Sequence, residues 1–331
     1  MSCVLPVDPG SPDPAVIAEA AAVLRRGGLV AFPTETVYGV GANALDPAAV
    51  RRIFAAKGRP PTNPIIVHVA DVADLGTLTQ PRSPDTVARL AERFWPGPLT
   101  LVLPKAAAVP DVVTAGGPTV AVRIPAHPVA LALLRAASVP LAAPSANRST
   151  ELSPTTAGHV LRGLGGRIDL ILDGGPTAGG IESTVLDVSA DPPRLLRPGL
   201  VTPAMIEAVI GPMQRTGRPA AGPARSPGQM AKHYAPRAPL ELAAGDGRPR
   251  VAELAGSGVR VGWLTWPGTD EVAGAVRVTM PADAAGYAAR LYAALHDLDA
   301  AGVERIVVAE PPPGDDWLAV RDRLRRAEEK K

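Results

Sequence analysis

Cysteine is almost missing from this chain. The single thiol, Cys3, excludes an internal disulfide and any multi-cysteine zinc site, which fits a reducing compartment. Aromatic residues are scarce, 3% of 331, so cores must be built from Ala, Val, Leu and Ile. No uncharged apolar run approaches the roughly 20 residues needed to span a bilayer. The first 24 residues carry no Lys or Arg and are unlike a signal peptide. A soluble, cytoplasmic protein without a membrane partner is expected. Neither sign of charge dominates: 34 Lys and Arg against 32 Asp and Glu leave a net +2. No global field therefore marks a non-specific nucleic-acid binder, and any RNA contact would need a local patch.

Familiar nucleotide and nucleophile motifs are missing too. There is no Gly-x-x-x-x-Gly-Lys-Ser/Thr loop, no Gly-x-Gly-x-x-Gly after a strand and no Gly-x-Ser-x-Gly elbow. A nucleotide would have to be held another way, and no covalent nucleophile stands out. His127, His159 and His296 stand apart, and no His/Asp/Glu spacing suggests zinc, so no protein metal ligand is assigned.

What is present is 46% apolar content, enough for substantial cores, with 38 prolines and 33 glycines that imply many defined turns. Two domains are expected at this length. Gly28 to Phe32 reads as a buried strand ended by Pro33, and Asp46-Pro47 as the capped start of a helix running towards Lys57. Strands follow at 65–69, 99–103, 119–124, 169–173, 183–188 and 194–197, with helices at 84–94, 127–137 and from Pro203 to Gly211. From Gly211 to about Pro239 apolar periodicity gives way to repeated Gly and Pro, which reads as a linker. Beyond it, strands at 240–243, 259–264 and 304–309 alternate with helices at 249–255, 282–300 and 315–328, a small βα-layered domain. The expected organisation is α/β throughout: a first domain over 1–211, a linker over 212–238 and a second domain over 239–331.

Six polar clusters sit on this framework. Thr34, Glu35, Thr36 and Tyr38 lie on a proline-initiated turn, where hydroxyls serve either the local backbone or a ligand. Lys57, Arg59, Asn63 and His68 flank a Pro-Pro-Thr-Asn-Pro turn; the cations suit a helix C-terminus, and equally a phosphate. Arg123 interrupts the apolar run Thr119-Val120-Ala121-Val122 and needs an anionic partner, which is either an internal Asp or Glu or a ligand carboxylate. Ala142 to Ser149 precedes Ser153-Pro154-Thr155-Thr156, where a hydroxyl caps a helix or meets a phosphate. Gly179 to Val185 and Arg194 to Gly199 read as either an ordinary hairpin or a further polar cluster of the site. The linker carries Lys232-His233-Tyr234, for which a linker has no packing reason, and a folded-back lid is expected.

The Phe-Pro-Thr-Glu-Thr-Val-Tyr-Gly run at 32–39, Lys57-Gly58-Arg59, Ser145-Ala146-Asn147 and the linker motif, in this order, resemble the threonylcarbamoyl-AMP synthase family over roughly residues 15–236. The remainder is similar to the extra C-terminal domain of the family's long form. The resemblance implies a YrdC-like twisted mixed sheet with helices and a smaller Rossmann-like α/β C-terminal domain. It implies an enzyme that makes threonylcarbamoyl-adenylate from L-threonine, bicarbonate and ATP with Mg²⁺, releasing pyrophosphate, for modification of adenosine 37 in transfer RNA. Downstream tRNA-modification proteins, and a direct tRNA contact, are the further partners it suggests.

By the same resemblance Thr36, His68, Arg123, the backbone at Ala143, and Ser183 surround threonine. Lys57, Arg59, Asn63, Thr119, Ser145, Ser153, Arg197 and His233 contact ATP, with Lys57 and Arg59 stabilising charge and Lys232, His233 and Tyr234 forming the lid. The chain departs from the family where Gln229, Met230 and Ala231 replace Met-Lys-Tyr, and where Thr150 replaces a glycine. Two rival readings are an RNA-binding module of the same fold without chemistry, and carbamoyl transfer in hydrogenase maturation. The second would call for zinc-finger and acylphosphatase-like segments that this sequence lacks.

Overall fold

The computed structural model describes residues 2–215 and 234–328. The chain divides into two units. Met1–Ser149, Pro154–Ala178 and Glu182–Gln229 form the first; Thr150–Ser153, Gly179–Ile181 and Met230–Lys331 form the second.

The first unit begins with β1 (Cys3–Pro6), α1 (Pro14–Arg25), β2 (Val30–Phe32), β3 (Gly39–Asn43), α2 (Pro47–Lys57) and β4 (Ile66–His68). It continues through α3 (Leu75–Leu78), α4 (Pro84–Phe94), β5 (Leu99–Pro104), α5 (Asp111–Thr114), β6 (Thr119–Arg123), α6 (Pro128–Ala137) and β7 (Leu141–Ala142). It closes with α7 (Ala157–Leu164), β8 (Leu170–Asp173), β9 (Thr184–Asp187), β10 (Arg194–Arg197), α8 (Pro203–Ile210) and β11 (Gln214–Arg215). The eleven strands among the described residues form one mixed sheet, ordered β1-β8-β2-β3-β7-β4-β6-β5-β9-β10-β11. Because β11 pairs with β10, the sheet runs past residue 211, the expected edge of the first domain.

Local chemistry explains the elements that position the site. Asp46 accepts from the backbone N–H groups of Ala48 and Ala49, Pro47 opens α2, and Gly58 at φ +61° closes it in the left-handed region that glycine enters at no steric cost. The helix therefore stops between Lys57 and Arg59 and turns both into the following loop. Helices α1 and α6 lay Ala20, Ala21, Leu24, Leu133 and Leu134 against Val30, Phe32 and Leu170 on β2 and β8, an aliphatic core as the composition requires.

In the second unit β12 (Leu240–Ala243), α9 (Arg248–Gly256), β13 (Val261–Thr265), β14 (Val276–Thr279), α10 (Ala284–Ala300), β15 (Arg305–Ala309) and α11 (Leu318–Ala327) build a four-stranded sheet. Its order is β12-β15-β13-β14, with every pairing parallel. Buried Trp263 packs with Val251, Val261 and Val307 and donates its indole N–H to the carbonyl of Asp246 at 2.8 Å. Two upstream segments belong to this unit for visible reasons: Ala235 N–H donates to the carbonyl of Thr150 at 3.0 Å, and the bare Cα of Gly180 lies against the backbone of Ala288 and Ala289 on α10. No helix among the described residues is long and apolar enough to cross a membrane.

Candidate active site

Strand register decides which side chains share a surface. On parallel neighbours β4 and β6, Ile66 pairs with Ala121 and His68 with Arg123. Alternation puts Ile66 and His68, and likewise Thr119, Ala121 and Arg123, on one face. On β5 and β9, Thr100 pairs with Val185 and Val102 with Asp187, and Val102 pairs with Ala121 across β5 and β6. Ile66, Val102, Ala121 and Val185, backed by Leu196, form a small apolar cluster of their own. That cluster is the floor, and the polar members of the same rows rise from it.

Arg123, 3% exposed, is the most constrained of them. Its Nε donates to the carbonyl of Gly97 at 3.1 Å and its Nη1 to Thr36 Oγ1 at 3.0 Å. Thr34 donates its one hydroxyl hydrogen to the carbonyl of Val37 at 2.7 Å, so Thr36 is the donor in the 2.7 Å contact between the two threonine hydroxyls. The turn at 33–38 is thus ordered from Arg123 outward. Nη2 lies 2.6 Å from Glu35 Oε1, yet the approach lacks hydrogen-bond alignment, and the two atoms meet as charges only. Glu35 Oε2 accepts from the N–H of Ala126 at 3.0 Å. Of the two anionic partners open to Arg123 from sequence, the internal carboxylate is present, and it is Glu35.

His68, 4% exposed, sits beside Arg123 in register and makes an edge-on contact with Phe32, the ring centroids 6.4 Å apart. Burial, then the positive charge of Arg123, push its pKa down to about 3, so the imidazole is neutral near pH 7. Its Nδ1 has no hydrogen-bond partner. Ser183, fully buried just before β9, shares a 2.8 Å contact with Thr100 Oγ1. Arg197 at the end of β10 donates to the Ser183 carbonyl from Nε and to Ser183 Oγ from Nη2, each at 3.1 Å. Ala143 N–H is taken by the carbonyl of Ile66 at 2.9 Å.

The second group of residues surrounds the end of α2. Lys57, 2% exposed, donates from Nζ to the carbonyls of Ser145, at 2.5 Å, and Asn147. Arg59 donates to the carbonyls of Asn63, at 3.3 Å, and Pro64, at 2.9 Å, which folds the proline-rich turn around its guanidinium. Ser145 bridges to Gly39, and Ala146 N–H donates to the carbonyl of Tyr38 at 2.8 Å. The 34–39 turn therefore touches both groups: Thr36 meets Arg123, while Tyr38 and Gly39 meet the 145–146 segment. Burial, with Asp173 nearby, raises the Tyr38 pKa, and its hydroxyl donates to the Gly175 carbonyl at 2.7 Å.

Of the expected site residues, Thr36, Lys57, Arg59, Asn63, His68, Thr119, Arg123, Ala143, Ser145, Ser183 and Arg197 all lie in the first unit. Ser153 is assigned to the second unit, fully buried, its carbonyl 3.2 Å from His296 Nε2. Lys232 and His233, with Gln229, Met230 and Ala231, fall outside the described residues. Tyr234, the described member of the expected lid, is 1% exposed, its ring 5.9 Å from that of Tyr292 and 5.2 Å beneath the guanidinium of Arg323, all within the second unit. Sequence reading passed over Glu35, Thr100 and Asn147 as site residues. The signal for Thr100 was a hydroxyl inside Leu99-Thr100-Leu101-Val102-Leu103; for Glu35 it was the acid beside two threonines.

Two family models match successive parts of the chain. Residues 22–199 match the family described as "Telomere recombination", of the Sua5, YciO and YrdC proteins, and residues 201–328 match "Threonylcarbamoyl-AMP synthase, C-terminal domain". The threonylcarbamoyl-AMP synthase of Bacillus subtilis strain 168 is 47% identical over 330 aligned residues, covering 94% of this chain and 92% of that one. The chain belongs to the threonylcarbamoyl-AMP synthase family. The member from Pyrococcus abyssi is 45% identical over 93% of this chain and 92% of its own. A crystal structure of P. abyssi Sua5 complexed with L-threonine aligns at a TM-score of 0.91 and 42% identity, over 98% of this chain and 97% of that one. Family membership accounts for both the large mixed sheet and the smaller parallel one. These relatives do not favour the reading as an RNA-binding module without chemistry.

Proposed function

We propose that this chain is an L-threonylcarbamoyladenylate synthase, an ATP-dependent nucleotidyltransferase whose product supplies the threonylcarbamoyl group for adenosine 37 of transfer RNA. The catalytic domain begins at residue 1 and extends past the expected 211 to include β11 (Gln214–Arg215), and is followed by the linker and the C-terminal domain. The observation that carries the reading is one sheet face, in register, bearing Arg123, His68, Ser183 and Arg197 over an apolar floor, joined through the 34–39 turn to the buried cations Lys57 and Arg59. A face of this kind binds a small amino acid beside a polyphosphate.

Threonine's carboxylate meets Arg123, with Thr36, neutral His68, the Ala143 backbone and Ser183 around the rest of it. ATP lies along Lys57, Arg59, Asn63, Thr119, Ser145 and Arg197, and Ser153 and His233 complete the set that the family resemblance implies. The amine condenses with bicarbonate, losing water, to give a carbamate. A carbamate oxygen then attacks the α-phosphorus, and pyrophosphate leaves. None of these steps needs an enzyme nucleophile, so catalysis rests on positioning and on charge neutralisation in a water-poor site. Mg²⁺ arrives with the nucleotide, as the substrate Mg·ATP. The partners are L-threonine, ATP and bicarbonate, with tRNA-modification proteins downstream.

Pyrophosphate release by the purified protein with Mg·ATP and bicarbonate, with and without L-threonine, tests the assignment. Threonine-dependent release is expected. Release indifferent to threonine, or no release, removes it.

A further inference from the structure

Three buried polar atoms on neighbouring elements have no hydrogen-bond partner: Glu35 Oε1, His68 Nδ1 and Arg123 Nη2. They come from the 33–38 turn, β4 and β6, on strands where His68 and Arg123 are in register. Glu35 Oε1 and Arg123 Nη2 meet as an ion pair at 2.6 Å without an aligned hydrogen bond, and a group that brings both a donor and an acceptor supplies the aligned bonds that the pair lacks.

The charges narrow what that is. Arg123 commits two of its five N–H hydrogens, one to Gly97 and one to Thr36, so three remain for a carboxylate. Glu35 commits one carboxylate oxygen to Ala126 and keeps Oε1 without a hydrogen-bond donor, 2.6 Å from Arg123 Nη2. His68 adds no charge near pH 7. His127, which also lies within the field of Glu35, is held below its ordinary pKa by burial and brings no fixed cation. The pair is therefore neutral as a whole, with its positive and negative ends side by side. A lone buried arginine attracts any carboxylate, whereas a buried Arg–Glu pair repels a simple anion in part and accepts a ligand carrying both signs on neighbouring atoms.

We infer that Glu35 is a specificity residue for the amino-acid substrate: its Oε1 receives the α-ammonium group while Arg123 takes the α-carboxylate, so the site selects a zwitterion over a carboxylic acid of the same shape. The inference rests on the threonine reading above and extends it to a residue outside the set implied by family resemblance.

The test uses the full-length protein, calorimetry, and two ligands differing only in the amine: L-threonine and 3-hydroxybutanoate of matching configuration. Wild type should bind threonine at least about tenfold more tightly, the scale of one charge-assisted hydrogen bond. Glu35→Gln should weaken threonine by a similar factor while leaving 3-hydroxybutanoate unchanged or tighter, and Glu35→Asp should retain most of the preference. Because the ratio is measured on one preparation, a partly unfolded fraction cancels, and the wild-type comparison stands even if the Gln variant does not fold. Equal affinity of wild type for both ligands, or a Glu35→Gln loss of the same factor for both, overturns the inference. Failure of wild type to bind threonine at all would instead overturn the assignment of function.

Discussion

In the first unit Lys57, Arg59, His68, Arg123 and Arg197 are each at most 6% exposed, and His68, Arg123 and Arg197 share the face that carries the apolar floor. In the second unit the parallel sheet is filled by Trp263, Val261 and Val307, and Arg323 is the one buried charged side chain among its described residues. Arg323 has an Asp322 carboxylate at 2.8 Å and the Tyr234 ring beneath it, ordinary structural company. Both units are α/β and poor in aromatics overall, yet only the first keeps a row of desolvated cations together. Buried cations are costly unless something anionic repays them, so the two units differ in how much desolvated charge their described residues hold.

That contrast can be broken at several points. The largest effect is expected at Tyr234: Tyr234→Ala removes the contacts with Tyr292 and Arg323 and should destabilise the protein by about 3–5 kcal/mol, read as a fall in the urea midpoint. If stability is unchanged, Tyr234 is not a core residue. Next, Arg123→Ala should lower threonine affinity by about 100-fold or more and Arg59→Ala should lower ATP affinity by about 10-fold, each sparing the other ligand. Calorimetry with each ligand alone checks this, and equal loss of one ligand in both variants erases the division of the face.

His68 sharpens the comparison by pH. Its folded pKa is depressed to about 3 against an ordinary 6.5, so below pH 6.5 the unfolded chain takes up a proton that the folded protein refuses. The stability tied to His68 is present in full above pH 6.5 and should fall by up to about 1.4 kcal/mol per pH unit between 6.5 and 3. His68→Asn should flatten that part of the stability profile, and an unaltered profile would refute the burial argument. The smallest effect concerns Thr150, a β-branched residue at φ +73°. Thr150→Gly relieves roughly 1 kcal/mol of backbone strain, partly offset by glycine's greater unfolded-state freedom. Its melting temperature should therefore hold or rise slightly, and a clear drop would show that the threonine side chain is needed.

Much of this was legible without coordinates, for physical reasons that differ by element. Asp46-Pro47 and Gly58 bracket α2 with cap chemistry, and α4 occupies Pro84–Phe94 as its pattern predicts. The strand β3 was read instead as part of a polar turn, because Gly39-Val40-Gly41-Ala42-Asn43 has no apolar alternation. A Cβ on Gly41 would stand 2.8 Å from the Phe32 ring, so glycine there is the condition for pairing β3 with β2, and it erases the pattern that would announce a strand. The helix α1 and the half-exposed edge strand β14 also escaped the apolar pattern. At the site, residue types predicted that Arg123 needs an anion, but which anion depends on a turn 88 residues away reaching β6, and no local signal encodes that. The left-handed backbone at Thr150 is likewise a conformation that favours glycine, and no local signal in the sequence marks it.

The register between β4 and β6 limits how this chain can vary. With His68 opposite Arg123, inserting a single residue within Thr119–Arg123 would swing the guanidinium through the sheet to the far side and bring Val122 into its place, while deleting one would bring Ile124 there. Length changes are tolerable in the turns that join these strands and ruinous within them, so relatives that gain or lose residues while keeping the chemistry should do so only between the strands.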